Sequence, residues 1–124
     1  MQRSFLTGLD HIQLTMPAGQ EAAARKFYAG LLGLVEEPKP APLQGRGGCW
    51  FHGPGIALHL GVDADFRPAS KAHPAFRVRD LDGLQARLET TGAEVLLDET
   101  LPGKRRFYSW DPFGNRLEFL EDGA

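Results

Sequence analysis

Asp10-His11-Ile12-Gln13-Leu14-Thr15-Met16 alternates polar and apolar residues with the period of a half-buried β-strand. Ile12, Leu14 and Met16 take one face, and His11, Gln13 and Thr15 take the other. The stretch is echoed further along by Ala72-His73-Pro74-Ala75-Phe76-Arg77-Val78. A second echo joins Gly55-Ile56-Ala57-Leu58-His59-Leu60 to Gly114-Asn115-Arg116-Leu117-Glu118-Phe119. Each copy therefore begins and ends on a strand bearing a potential metal ligand: His and His in the first, His and Glu in the second. Such a repeat dictates architecture, because neither copy can bury its apolar face alone.

Between these anchors the order of elements recurs. The strand over 9–16 is ended by Pro17 and Gly19, and residues 20–32 read as a helix with Ala24, Phe27 and Leu31 on one apolar stripe. Gly33 is placed to stop that helix in a left-handed conformation. A short strand over 34–36 and a loop rich in proline and glycine over 38–48 follow. Residues 48–52 and 56–62 form two strands around Gly53-Pro54-Gly55. After the polar connector 63–71 comes a strand over 74–79, then a helix N-capped by Asp80 and carrying Leu81, Leu84 and Leu88. Gly92 stops it, 93–97 is a strand, and 105–110 and 116–121 close the copy around Asp111-Pro112-Phe113-Gly114-Asn115. The expected fold is α+β, with two βαβββ modules over about 5–62 and 72–122 making a curved mixed sheet around a cavity. The chain 1–124 reads as one domain.

Composition narrows the function classes. The 124 residues are 42% hydrophobic and 24% charged, with a formal net charge of −2, as in a soluble globular protein. Charges of both signs are interspersed, so no basic face argues for a nucleic-acid partner. The single cysteine, Cys49, excludes an internal disulfide and a cysteine-rich zinc site, and suits a reducing compartment. No apolar run reaches the length of a membrane span. Residues 1–7 carry no hydrophobic core of a secretory signal, so the expected location is cytoplasmic.

Strand parity decides where the ligand-type side chains point. If Ile56, Leu58 and Leu60 face the helix layer, His59 faces away; if Leu117 and Phe119 face it, Glu118 faces away. His11 shares its face with Gln13 and Thr15, and His73 with Ala75 and Arg77. All four candidates lie opposite the helices, and two curved modules about one axis would bring them to one cavity.

The runs Asp10-His11-Ile12, His73-Pro74-Ala75-Phe76 and Asp111-Pro112-Phe113-Gly114-Asn115-Arg116-Leu117-Glu118 resemble the vicinal oxygen chelate superfamily. That superfamily includes glyoxalase I, extradiol dioxygenases, fosfomycin-resistance thiol transferases and bleomycin-binding proteins. The resemblance covers nearly the whole chain. It implies paired βαβββ modules and a divalent metal held by His11, His73 and Glu118, with His59 at the family's fourth position. Glyoxalase I enzymes carry glutamate at that position, so His59 departs from the pattern. The resemblance also implies a homodimer, in keeping with twofold association as the commonest oligomer.

Two imidazoles and a carboxylate suit Fe, Mn, Zn, Ni or Co and leave positions open for substrate oxygens or water. The expected function is a glyoxalase-like, metal-dependent enzyme acting on an oxygenated small molecule by lyase, isomerase or dioxygenase chemistry. Glu118 and His59 are its candidate proton-transfer groups. Gln13, Trp50, Arg77 and Phe107 are candidate pocket residues; Arg46, Lys104, Arg105 and Arg106 flank loops and could recognise an anionic substrate, with solvation the simpler reading. The alternative is a metal-free binding module of the bleomycin-resistance type, which sequesters a small molecule between subunits.

Overall fold

The computed structural model describes residues 3–123. Met1, Gln2 and Ala124 lie outside the described residues, and so do the extreme ends of the stretches read as a domain and as lacking a leader. The chain begins with β1 (Ile12–Met16) and helix α1 (Glu21–Ala24, continuing as a π-helix over Arg25–Leu31). There follow β2 (Val35–Glu37), a 3-10 turn (Ala41–Arg46), β3 (Cys49–Gly53) and β4 (Ile56–Val62). The second copy comprises β5 (Ala75–Val78), α2 (Leu81–Thr90), β6 (Leu96–Leu97), β7 (Arg106–Trp110) and β8 (Arg116–Glu121). The βαβββ order thus occurs twice.

The strands pair as two four-stranded mixed sheets, β1-β4-β3-β2 and β5-β8-β7-β6. In each sheet the first strand runs parallel to the fourth, with Ile12 opposite Leu58 and Ala75 opposite Glu118. The remaining pairs are antiparallel. The expected curved mixed sheet is divided in two, and no ladder joins the halves among the described residues.

Several boundaries differ from the sequence expectation. β1 starts at Ile12 rather than residue 9, its ladder with β4 opening at the Ile12–Leu58 pair. His11 therefore precedes the strand. The strand expected over 93–97 shrinks to Leu96–Leu97; the Ser109 hydroxyl donates to the Glu94 carbonyl at 2.6 Å and occupies that acceptor. In α1 the turns widen, and the Leu32 N–H donates to the Phe27 carbonyl five residues back at 2.9 Å. The buried residues of this helix are Ala24, Phe27 and Tyr28, with Leu31 only half-buried. Gly33 and Gly92 follow their helices with φ of 82° and 83°, and the Asp80 carboxylate caps α2 by accepting from the Gly83 N–H at 3.0 Å.

One apolar core spans both modules. Leu14, Met16, Phe27, Tyr28, Phe51, Leu58 and Leu60 of the first join Phe76, Leu81, Leu88, Phe107, Leu117 and Phe119 of the second. The turn between β7 and β8 ties the two together. Asp111 accepts from the backbone N–H of Phe113 and of Asn115, both at 2.9 Å, and from the Tyr28 hydroxyl at 2.7 Å. The Asn115 amide donates to the Thr15 carbonyl at 2.9 Å, and its oxygen accepts from the Ala69 N–H at 3.0 Å. Burial, with the adjacent Asp111 charge, pushes the Tyr28 hydroxyl well above its ordinary pKa and keeps it a neutral donor. The run read as a family marker is, physically, the fastening between modules.

Candidate functional site

Paired residues on neighbouring strands share a face, so the ladders show which side chains meet. In the first module Gln13, His59 and Trp50 occupy one rung across β1, β4 and β3. The Trp50 indole lies parallel to the His59 imidazole, with centroids 3.8 Å apart, and His11 stacks near His59 at 4.3 Å. His59 is buried, and burial, helped by the neighbouring His11, holds its pKa below the ordinary histidine value. The His11 Nδ1–H donates to Asp10 Oδ2 at 2.8 Å, which leaves the Nε2 lone pair free.

The second module builds a different constellation on the equivalent strands. Ala75, Glu118 and Tyr108 share a rung across β5, β8 and β7. His73, just ahead of β5, donates from Nδ1 to the Lys71 carbonyl at 2.9 Å. Its Nε2 lies 2.8 Å from Glu118 Oε1. The other Glu118 oxygen accepts from Arg106 Nη1 at 3.1 Å. Arg106 is held in turn by Asp98 at 3.0 Å and by the Thr100 hydroxyl at 3.2 Å. The Arg116 guanidinium lies 4.1 Å from the Tyr108 ring centre.

This second constellation fits a cation. Both neighbours of the His73 ring, a carbonyl and a carboxylate, are acceptors. With the Nδ1 proton committed to Lys71, the Nε2 lone pair and a carboxylate oxygen face one another, and a positively charged species relieves that contact. A proton does so, and so does a divalent metal. The Glu118 carboxylate is buried and already oriented by Arg106.

The four residues expected to converge stand as two pairs within one chain, His11 with His59 and His73 with Glu118. Among the described residues no three His, Cys, Asp or Glu side chains are grouped to hold a metal. No ladder joins the two sheets among the described residues, although Gln13 of the His59 rung and His73 line one cavity.

Of the pocket candidates, Gln13 and Trp50 lie on the rung with His59. Arg77 is exposed on the edge strand β5, opposite Leu120 on the face shared with Arg106. Phe107 is corrected: it is fully buried in the core against Phe119, with ring centres 5.4 Å apart. Tyr108, the next residue, is the aromatic that faces Glu118. Arg106 is corrected too, from a solvated loop residue to the half-buried partner of Glu118 and Asp98, whereas Arg105 pairs with Asp82 and Glu121 at the surface. Parity contained the signal: once Phe119 is set toward the helices, its rung partner Phe107 must follow, and residues 106 and 108 must turn the other way. Buried Cys49 has its thiol pushed up to about 11 by burial and stays protonated.

Comparison with known proteins agrees with this architecture. The model of the glyoxalase-like domain matches residues 13–120. A glyoxalase family protein from Bacillus anthracis superposes with a TM-score of 0.92 at 45% identity, covering 98% of this chain and 100% of its own. A glyoxalase/dioxygenase from Nostoc punctiforme gives 0.76 at 23% identity, over 100% of both chains. The fosfomycin resistance protein FosX from Listeria monocytogenes gives 0.77 at 17% identity, covering 97% of each chain. An E126Q variant of that protein has been crystallised with Mn(II) and 1S,2S-dihydroxypropylphosphonic acid. No curated protein matches the sequence.

Proposed function

Because this chain belongs to the glyoxalase-like domain family, within the vicinal oxygen chelate superfamily, we propose that it is a metal-dependent enzyme acting on an oxygenated small molecule. The observation that carries the reading is the His73–Glu118 pair: a ring nitrogen and a buried carboxylate oxygen 2.8 Å apart, each oriented from behind by a second partner. Fe, Mn, Zn, Ni and Co all suit such donors. When bound, the metal would supply Lewis-acid polarisation to adjacent substrate oxygens, in lyase, isomerase or dioxygenase chemistry.

His73 and Glu118 supply two ligands, and His11 of a second copy supplies the third. That makes the working unit a homodimer. The support is the segment ahead of His11. Phe5, Leu6 and Leu9 are 102%, 84% and 85% exposed in the isolated chain, an apolar arm that a second copy would cover. His59, neutral and stacked beside His11, is the group placed to accept a proton, and the Trp50 indole excludes water from its face. Arg106 fixes Glu118 so that the oxygen nearer His73 stays directed at the site.

The test is metal binding by tag-free protein, followed by mass spectrometry and calorimetry with Mn, Fe, Co, Ni and Zn. One metal per chain is expected, lost in His73→Ala and Glu118→Gln. Absence of stoichiometric binding to any of the five would overturn the enzyme reading and leave metal-free sequestration of a small molecule as the function.

A further inference from the structure

The first module carries a feature that metal chelation does not use. Lys39, Arg46, Leu43, Gln13 and Trp50 line a cavity of about 280 Å³ over the carboxyl end of β4. We propose that this cavity is an anion subsite, which receives a carboxylate or phosphoryl group of the substrate at the end remote from the chelated oxygens. As a statement about the substrate it rests on the proposed enzyme function; as a binding site it stands by itself.

The wall is built rather than incidental. Gly47 and Gly48 adopt φ of 73° and 85°, which fold the 3-10 turn carrying Leu43 and Arg46 back over the sheet. A Cβ on Gly48 would sit 2.2 Å from the Leu60 carbonyl oxygen, so only glycine permits that approach. Gly61 leaves room on the floor for the Gln13 amide, whose nitrogen lies 2.6 Å from where a Cβ would stand. Lys39 is held by donating to the Gly47 carbonyl.

Charge gives the cavity its sign. Arg46 makes no ion pair or side-chain hydrogen bond among the described residues, and Lys39 makes no ion pair among them. No acid is among the cavity's lining residues, although Glu21 stands behind the Gly47–Gly48 wall and Glu37 shares the rung of Trp50. Glu21 accepts from the Gly48 N–H at 2.8 Å, and Glu37 lies 3.9 Å from His52. What remains is an ammonium, a guanidinium and an amide beside an indole face. That set binds an oxyanion through charge-assisted hydrogen bonds, with the guanidinium able to engage two oxygens at once.

The experiment titrates metal-free protein with inorganic phosphate at low ionic strength, matched against sodium chloride, and follows amide and indole resonances by NMR. Saturable shifts are expected at the Trp50 indole and the Gln13 side-chain amide, and added salt should weaken them. Arg46→Glu should weaken binding roughly tenfold or more, Lys39→Met by less, and Arg46→Lys should retain most of it. Arg67→Glu, a charge reversal on the exposed connector, should change nothing. Mn(II) titration of the same samples separates the two readings. His73→Ala should lose manganese and keep phosphate. Phosphate binding without any manganese binding would remove the metalloenzyme and leave the subsite. Shifts at Trp50 and Gln13 that are absent, or that survive Arg46→Glu, overturn the subsite.

Discussion

The two modules share a strand order and a ladder register, yet they carry opposite chemistries. On the second, a histidine and a glutamate are locked into a polar chain running from Lys71 through His73, Glu118 and Arg106 to Asp98. On the first, the corresponding positions hold two histidines and no carboxylate, and His59 is kept by ring stacking with Trp50 and His11. Duplication therefore fixes where a functional side chain stands, while the neighbours fix what it can do. A carboxylate in an apolar sandwich would be costly to ionise; a neutral imidazole is at home there.

The largest expected effect tests whether the modules act across two chains. His11→Ala and Glu118→Gln should each lose metal, by at least about a hundredfold, because losing only a group hydrogen-bonded behind a ligand already costs roughly 10–100-fold. Mixing the two variants should restore one intact site in each mixed dimer, read as half the wild-type stoichiometry in that species. No restoration after subunit exchange would mean that the modules do not complement one another between chains.

Next comes the arm that leads into His11. Replacing Phe5 and Leu9 by Asp should shift the solution mass measured by light scattering toward the monomer and weaken metal binding with it. Folding should survive, because neither residue touches the core of its own chain. A mass unchanged from wild type would separate the arm from association.

Tyr28→Phe probes the fastening between modules. It leaves the buried Asp111 carboxylate short of one donor and should cost about 1–3 kcal/mol in denaturant unfolding. The pH dependence has a definite sign. The folded pKa of Tyr28 is raised, so its contribution is fully present below the ordinary tyrosine value of about 10 and is lost as pH climbs above it. Wild type should lose stability through that alkaline range, and the variant should lose less. An unaltered alkaline slope would show that Tyr28 does not titrate as described.

The smallest effect concerns the first module alone. Trp50→Ala opens one face of His59, and the imidazole pKa, lowered chiefly by burial, should rise toward the ordinary value in a proton NMR titration. A pKa that stays low would assign the shift to His11 instead.

Much of the frame was legible before any coordinates. The echo of residues 10–16 in 72–78 carried the βαβββ duplication, and alternation placed Gln13, His59 and Glu118 opposite the helices, as the ladders confirm. Asp80 as a cap and Gly33 and Gly92 as stops were likewise local matters of backbone chemistry. Less legible were the choices that depend on a neighbouring strand. Phe107 and Tyr108 are both aromatic, and only the rung shared with Phe119 decides which enters the core. Arg106 is one of three consecutive cations, and only the fold brings Glu118 and Asp98 within reach of it.

By itself the sequence determined the period, the breaks and the faces, because these follow from alternation along a strand and from residues that stop or cap a helix. Tertiary structure decided which faces are shared. The modules bury their helix sides in one core, held by Asp111 and Asn115, and within one chain His11 pairs with His59 while His73 pairs with Glu118. The physical reason is that burial rewards the larger apolar surface first, and a pattern of alternation records which side of a strand is apolar but not whose apolar side it will meet.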